Sequence, residues 1–246
     1  MDPDTYLTAI EREAGDFTAV LRGGASTPVL SCPGWSLGDL AVHLGVIHRW
    51  ATQMVESGAT EPVRDRDVLF AIDPNSPRLV EWFATGAREL VQTLASTPLE
   101  RPVWSWVPNS TAGFWRRRQA HETAVHRWDA QAAMAKPRPI EAALASDGVD
   151  EWLTVFALSR SRARSRQTGA GETFHFHCTD IDGEWIVRFD GPGVQVRAEH
   201  GKADVALRGG ASDLLLFLWG RRGAEALEIL GDESLLSRWP ELLPAV

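Results

Sequence analysis

Cysteine is scarce. The 246-residue chain holds two, Cys32 and Cys178, which excludes a disulfide framework and fits a reducing cytosol. Long apolar runs are missing too: none approaches the roughly 20 residues of a helical membrane span. The acidic start, M-D-P-D-T-Y-L, lacks the apolar stretch of a secretory signal. The chain therefore reads as cytoplasmic, with no membrane among its partners. Nor is there a basic excess. Lys and Arg number 25 against 33 Asp and Glu, for a net charge of −8. That argues against a general nucleic-acid binder but leaves room for a local basic pocket. Tyrosine is nearly absent, one residue against eleven tryptophans, so the large aromatics are expected in core and pocket walls.

The rest of the composition is that of a soluble globular protein, 44% hydrophobic and 24% charged, long enough for one large domain or two smaller ones. The first half carries helical periodicity. Leu7, Ile10, Ala14, Phe17 and Leu21 recur at spacings of three and four, with Asp4 a candidate cap and Gly23 and Gly24 a stop. The segment S-C-P-G-W leads to Ser36, a candidate N-cap, and Leu37, Leu40, Leu44, Ile47, Ala51 and Met54 form a second stripe. Residues 57–77, rich in Gly, Pro and Asp, read as a loop. A third helix is predicted over 77–95 and a fourth over 113–135, ended by Pro137 and Pro139. Four amphipathic helices predict a bundle, residues 1–138.

The segment 139–246 reads as a second, smaller α+β domain. One helix is predicted over 140–161, running into the basic stretch R-S-R-A-R-S-R, read as a solvated helix end or loop. The runs T-F-H-F-H-C-T, E-W-I-V-R-F-D, V-Q-V-R-A and A-D-V-A-L-R then alternate with a period of two, separated by D-I-D-G and D-G-P-G. They predict a small antiparallel sheet. A helix, S-D-L-L-L-F-L-W-G, and a helical tail follow.

The chemistry-bearing residues are histidines. In H-E-T-A-V-H-R-W-D, Glu122 and His126 are four apart and share a helical face. His43 lies at the edge of the second helix's stripe, flanked by Leu40 and Ile47. Two imidazoles and a carboxylate suit a divalent metal, zinc first, and three protein ligands leave a fourth position for water or substrate. Asp129 and Asp39 are candidates to orient those ligands, and His48 and His121 are alternative ligands. The spacing is not the H-E-x-x-H of zinc proteases. By itself E-x-x-x-H also describes an exposed polar pair. His175 and His177 alternate on a strand: a second metal pair, or on the commoner reading a half-exposed sheet face. Neither cysteine has a histidine at an activating spacing, so both are read as structural. Trp35 is assigned to packing at the start of the second helix, and Trp104, Trp106 and Trp115 to core or pocket wall.

The segments S-C-P-G-W-S-L-G-D-L-A-V-H-L and H-E-T-A-V-H-R-W-D-A resemble the mycothiol-dependent maleylpyruvate isomerase family, which belongs to the DinB-like metal-binding helix bundles. A-D-V-A-L-R-G-G-A-S-D-L-L-L-F-L-W-G-R resembles that family's C-terminal domain, sterol-carrier-like in fold. The resemblance implies a divalent metal, usually zinc, held by His43, Glu122 and His126, which match the family's His-Glu-His. It implies a thiol cosubstrate, mycothiol in actinobacteria, whose thiolate the metal activates for addition to an electrophile. In maleylpyruvate isomerisation the thiol adds to the cis double bond, the new single bond rotates, and elimination yields fumarylpyruvate. A C-terminal arginine handles the acidic substrate in that family; Arg221 is the match, with Arg208 and Arg222 behind it, and the alternative reading of Arg221 is a surface charge at a helix C-terminus. The expected function is thus a metal-dependent, mycothiol-using isomerase or transferase. The alternatives are a non-catalytic, metal-stabilised small-molecule binding protein and a metal-dependent hydrolase. The hydrolase lacks an obvious general base beside the ligands.

Overall fold

The computed structural model describes residues 1–64, 66–159 and 168–243, so the basic stretch at 160–166 lies outside the described residues. The chain divides into two compact units, Met1–Arg138 and Pro139–Val246. No helix among the described residues is long and apolar enough to cross a membrane.

The first unit is a bundle of α1 (Pro3–Leu21), α2 (Leu37–Ser57), α4 (Leu79–Ser96) and α5 (Ala112–Ala133), with one short helix, α3 (Arg66–Phe70), between α2 and α4. Both α1 and α2 pack against α4 and α5. The predicted stripes meet in a core of Phe17, Leu21, Leu40, Leu44, Phe83 and Ala130, all buried. The rings of Phe17 and Phe83 lie 4.6 Å apart. Gly45 lets α4 approach α2 closely, because a Cβ there would come within 2.3 Å of the Trp82 ring. The loop expected over 57–77 contains α3; five residues are too few to show a period.

Two expectations, a cap at Asp4 and a ligand-orienting role for Asp39, are corrected. Asp2, not Asp4, caps α1, accepting from the Asp4 amide at 2.9 Å, with Pro3 at the first helical position. Asp39 does not orient a ligand. It closes a capping box with Ser36, accepting from the Ser36 amide at 2.9 Å while Ser36 Oγ accepts from the Asp39 amide at 3.2 Å.

The fourth predicted helix, now α5, is not amphipathic. It is buried nearly all round, including Arg116, Arg118, Gln119, His121, Thr123, Arg127, Asp129 and Gln131. Such a helix is tolerable only where its polar groups find partners. Arg116 Nε donates to the Leu94 carbonyl at 2.9 Å, satisfying the end of α4. Arg127 Nε donates to Glu13 Oε2 of α1 at 2.5 Å, and its Nη1 to Gln131 Oε1 and the Arg138 carbonyl.

In the second unit, α6 (Ala142–Glu151) continues into a π-helical stretch, Trp152–Ala157. Five strands follow: β1 (Gly169–Cys178), β2 (Glu184–Gly191), β3 (Gly193–Arg197), β4 (Val205–Gly209) and β5 (Glu228–Gly231), in the order β3-β2-β1-β4-β5. A helix, α7 (Ala211–Leu218), joins β4 to β5, and α8 (Trp239–Leu242) closes the unit. The class is α+β as expected, but the sheet is mixed: β1 and β4 run parallel, the other pairs antiparallel. The expected helical tail is largely replaced by β5 and two 3-10 turns. β5 has four residues and none is fully buried, so it left no alternation to read. One face of β1 carries Phe174 and Phe176, on which Trp239 packs at centroid distances of 5.0 and 5.1 Å. His175 and His177 occupy the other face.

Candidate metal centre

His43 projects from α2, Glu122 and His126 from adjacent turns of α5. His43 Nε2 stands 3.6 Å and His126 Nε2 3.3 Å from the same oxygen, Glu122 Oε1. The two imidazole rings meet edge to face with centroids 5.2 Å apart. One donor atom from each residue lies within 4.8 Å of the others. Three side chains separated by up to 83 positions thus converge.

The surroundings orient these donors. Asp129, wholly buried one turn beyond His126, lies 2.9 Å from His126 Nδ1. A carboxylate only accepts, so Nδ1 carries the proton and Nε2 faces Glu122 and His43. Arg118, one turn before Glu122, donates to Glu122 Oε2 at 2.9 Å and leaves Oε1 to the imidazoles. Burial works to raise the Glu122 carboxyl, but hydrogen bonding to His126 and His43 and the Arg118 charge hold it well below the usual range. Burial also disfavours a charged His126. Asp129 and Glu122 more than reverse this, and its pKa rises to about 9. A metal binding at His126 Nε2 would have to displace a proton from it. The donor set, the carboxylate behind His126 and the ionised Glu122 all fit a divalent ion.

Arg118 escaped the sequence reading, although its i,i+4 relation to Glu122 was visible. Trp35 does more than pack the start of α2, since its ring centroid lies 5.1 Å from that of His43. The alternative ligands fall elsewhere. His48 is fully buried, and its Nε2 lies 3.0 Å from Thr123 Oγ1. That hydroxyl donates to the Gln119 carbonyl, so His48 Nε2 is the donor to it. His121 packs edge-on against Tyr6. Trp115 is fully buried and Trp106 is exposed, while Trp104 lines a cavity of about 350 Å³ with Val103 and Ser105.

In the second unit Arg208 pairs with Glu228 at 2.7 Å, Arg221 donates to the Trp219 carbonyl at 2.8 Å, and Arg222 pairs with Asp213. Cys178 is buried, which pushes its thiol up to about 11, an inert state at neutral pH.

Residues 7–131 match the mycothiol maleylpyruvate isomerase N-terminal domain, and residues 143–238 match the C-terminal domain of the same family. No curated protein matches the chain. Among solved structures, the mycothiol-dependent maleylpyruvate isomerase superimposes with a TM-score of 0.64 at 14% identity, over 93% of each chain. A histidine-to-alanine mutant of a mycothiol-dependent maleylpyruvate isomerase gives 0.62 at 13%, over the same share of each. At such identity the likeness is one of fold.

Proposed function

The chain belongs to the mycothiol maleylpyruvate isomerase family, and on that footing we propose that it is an enzyme in which a divalent ion held by His43, Glu122 and His126 activates mycothiol toward an electrophilic small molecule. The observation that carries this reading is the approach of two imidazole Nε2 atoms to one oxygen of Glu122, with His126 steered from behind by Asp129.

A free thiol of pKa about 8.5 is mostly protonated at neutral pH, and a bound cation supplies the missing nucleophile by stabilising the thiolate. The chain's own residues do the rest. Glu122 stays ionised because Arg118 and the two histidines surround it. Asp129 holds the His126 ring in one orientation and one tautomer. Three protein donors would leave a position open on such an ion. Zinc is the preferred ion, since imidazole and carboxylate suit it, and no redox step is needed for addition and elimination. In the second unit Arg221 is the proposed cation for a carboxylate-bearing substrate, with Arg208 the second candidate. A guanidinium binds a carboxylate through two parallel hydrogen bonds. Isomerisation of maleylpyruvate is the first reaction to try, and transfer of the thiol to another electrophile the second.

The test is thiol consumption and product formation by zinc-loaded protein, with mycothiol and either maleylpyruvate or a panel of electrophiles. Turnover that disappears in His126→Ala and persists in Glu11→Ala supports the proposal. Metal-loaded protein that leaves both thiol and electrophiles unchanged makes this a binding protein.

A further inference from the structure

The second unit gathers a separate set of metal donors. His175 and His177 are two apart on β1 and therefore share a sheet face. The register sets His177 directly opposite Glu184, the first residue of β2. His200, in the segment after β3, returns to the same place. His177 Nδ1 lies 2.5 Å from Glu184 Oε1, and His200 Nδ1 lies 2.7 Å from Glu184 Oε2. The His175 ring centroid is 5.9 Å from that of His177 and 5.5 Å from that of His200. Each of the four side chains offers a donor atom within 4.8 Å of the others.

Hydrogen bonding alone leaves this cluster incomplete. Three imidazoles surround one carboxylate, whose two oxygens already face His177 and His200. His175 is buried, its Nε2 has no hydrogen-bond partner, and it stands 3.5 Å from Glu184 Oε2. A buried polar nitrogen left unpaired is destabilising. Arg208 lies beside His177 in the β1–β4 register, but its charge is matched by Glu228 at 2.7 Å.

We propose that His175, His177, Glu184 and His200 form a second divalent-metal site, of closed three-histidine, one-carboxylate composition and with zinc the preferred ion. Four protein donors make a structural site rather than one with an open position. Donors at 2.0–2.1 Å from a tetrahedral ion sit about 3.3 Å apart. The widest pairs must therefore contract by up to about 1.5 Å, while the hydrogen-bonded pairs of Glu184 with His177 and His200 move apart slightly. The exposed His200 supplies the adjustable ligand and the route by which an ion enters. The ion would tie the segment after β3 to β1 and β2, and so stabilise the second unit.

Full-length protein stripped with a chelator and reloaded with zinc should bind two equivalents, counted by elemental analysis. His43→Ala/His126→Ala should retain one equivalent, and its melting temperature should rise by several degrees with zinc. His177→Ala/His200→Ala should likewise retain one, and His200→Ala alone, an exposed change, should weaken the second equivalent at least tenfold. In the His43→Ala/His126→Ala background, cobalt should give the visible absorption of a tetrahedral site. Loss of all zinc and of the thermal shift in that background would overturn the proposal. So would an unchanged zinc count in His177→Ala/His200→Ala. Either result would leave a carboxylate–imidazole hydrogen-bond cluster.

Discussion

His126 Nδ1 and Asp129 Oδ2 are 2.9 Å apart, three positions along one helix, and Asp129 is wholly shielded from solvent. This pair decides which nitrogen of His126 faces Glu122 and His43. Replacing Asp129 by Asn would keep the shape but allow the ring to flip or change tautomer. The expected result is a 10–100-fold loss of metal affinity, the usual effect of removing such a partner. Competition with a chromophoric chelator measures it, and unchanged affinity would show that Asp129 does not support the centre.

His48 gives the bundle a pH-dependent stability. Burial outweighs the pull of Glu122 and lowers its pKa from the usual 6.5 to about 3. The fold therefore prefers the neutral ring. The stability this contributes is complete above about pH 6.5 and is lost as pH falls toward 3. Across that window the slope approaches about 1.4 kcal/mol per pH unit. Urea unfolding at pH 7, 6, 5 and 4 should show this slope in the wild type and a shallower one in His48→Gln. Parallel slopes would remove His48 as the source.

Glu13 and Arg127 form an ion pair between α1 and α5 with both side chains buried. Glu13→Ala leaves the guanidinium without its counter-charge. The expected loss is about 3–5 kcal/mol, the range for breaking one side of a buried pair. Glu11→Ala, exposed on the same helix, should stay within about 0.5 kcal/mol of wild type. Denaturant titration of both variants checks the contrast.

Cys178 should resist alkylation in the native state. With its thiol near 11, thiolate is scarce at pH 7.5, and the sulfur is buried as well. Mass spectrometry after brief iodoacetamide treatment should find Cys178 unmodified in folded protein and modified in denaturant. Rapid native labelling would contradict the burial found here.

Much of the fold was legible because burial leaves a period in the chain. The stripes through Phe17 and Leu44 meet in one core, and the alternation in β1 separates Phe174 and Phe176 from His175 and His177. Elements without such a period were missed. α3 has five residues and β5 four, and the polar face of α5 turned out to be interior. His175, expected on a half-exposed sheet face, is buried, because β2 and the segment after β3 fold around it. Glu184 and His200 were not singled out, since nothing in their spacing relates them to β1.

By itself the sequence determined which residues share an element face: Glu122 with His126, His175 with His177. Helix and strand geometry turn spacing into direction without help from the rest of the chain. Only the tertiary structure decided what stands opposite those faces. It brought His43 to within 3.6 Å of Glu122 from a helix 79 positions away, and Glu184 and His200 to His177. Long-range approach depends on how cores pack and strands register, and local spacing carries no record of either.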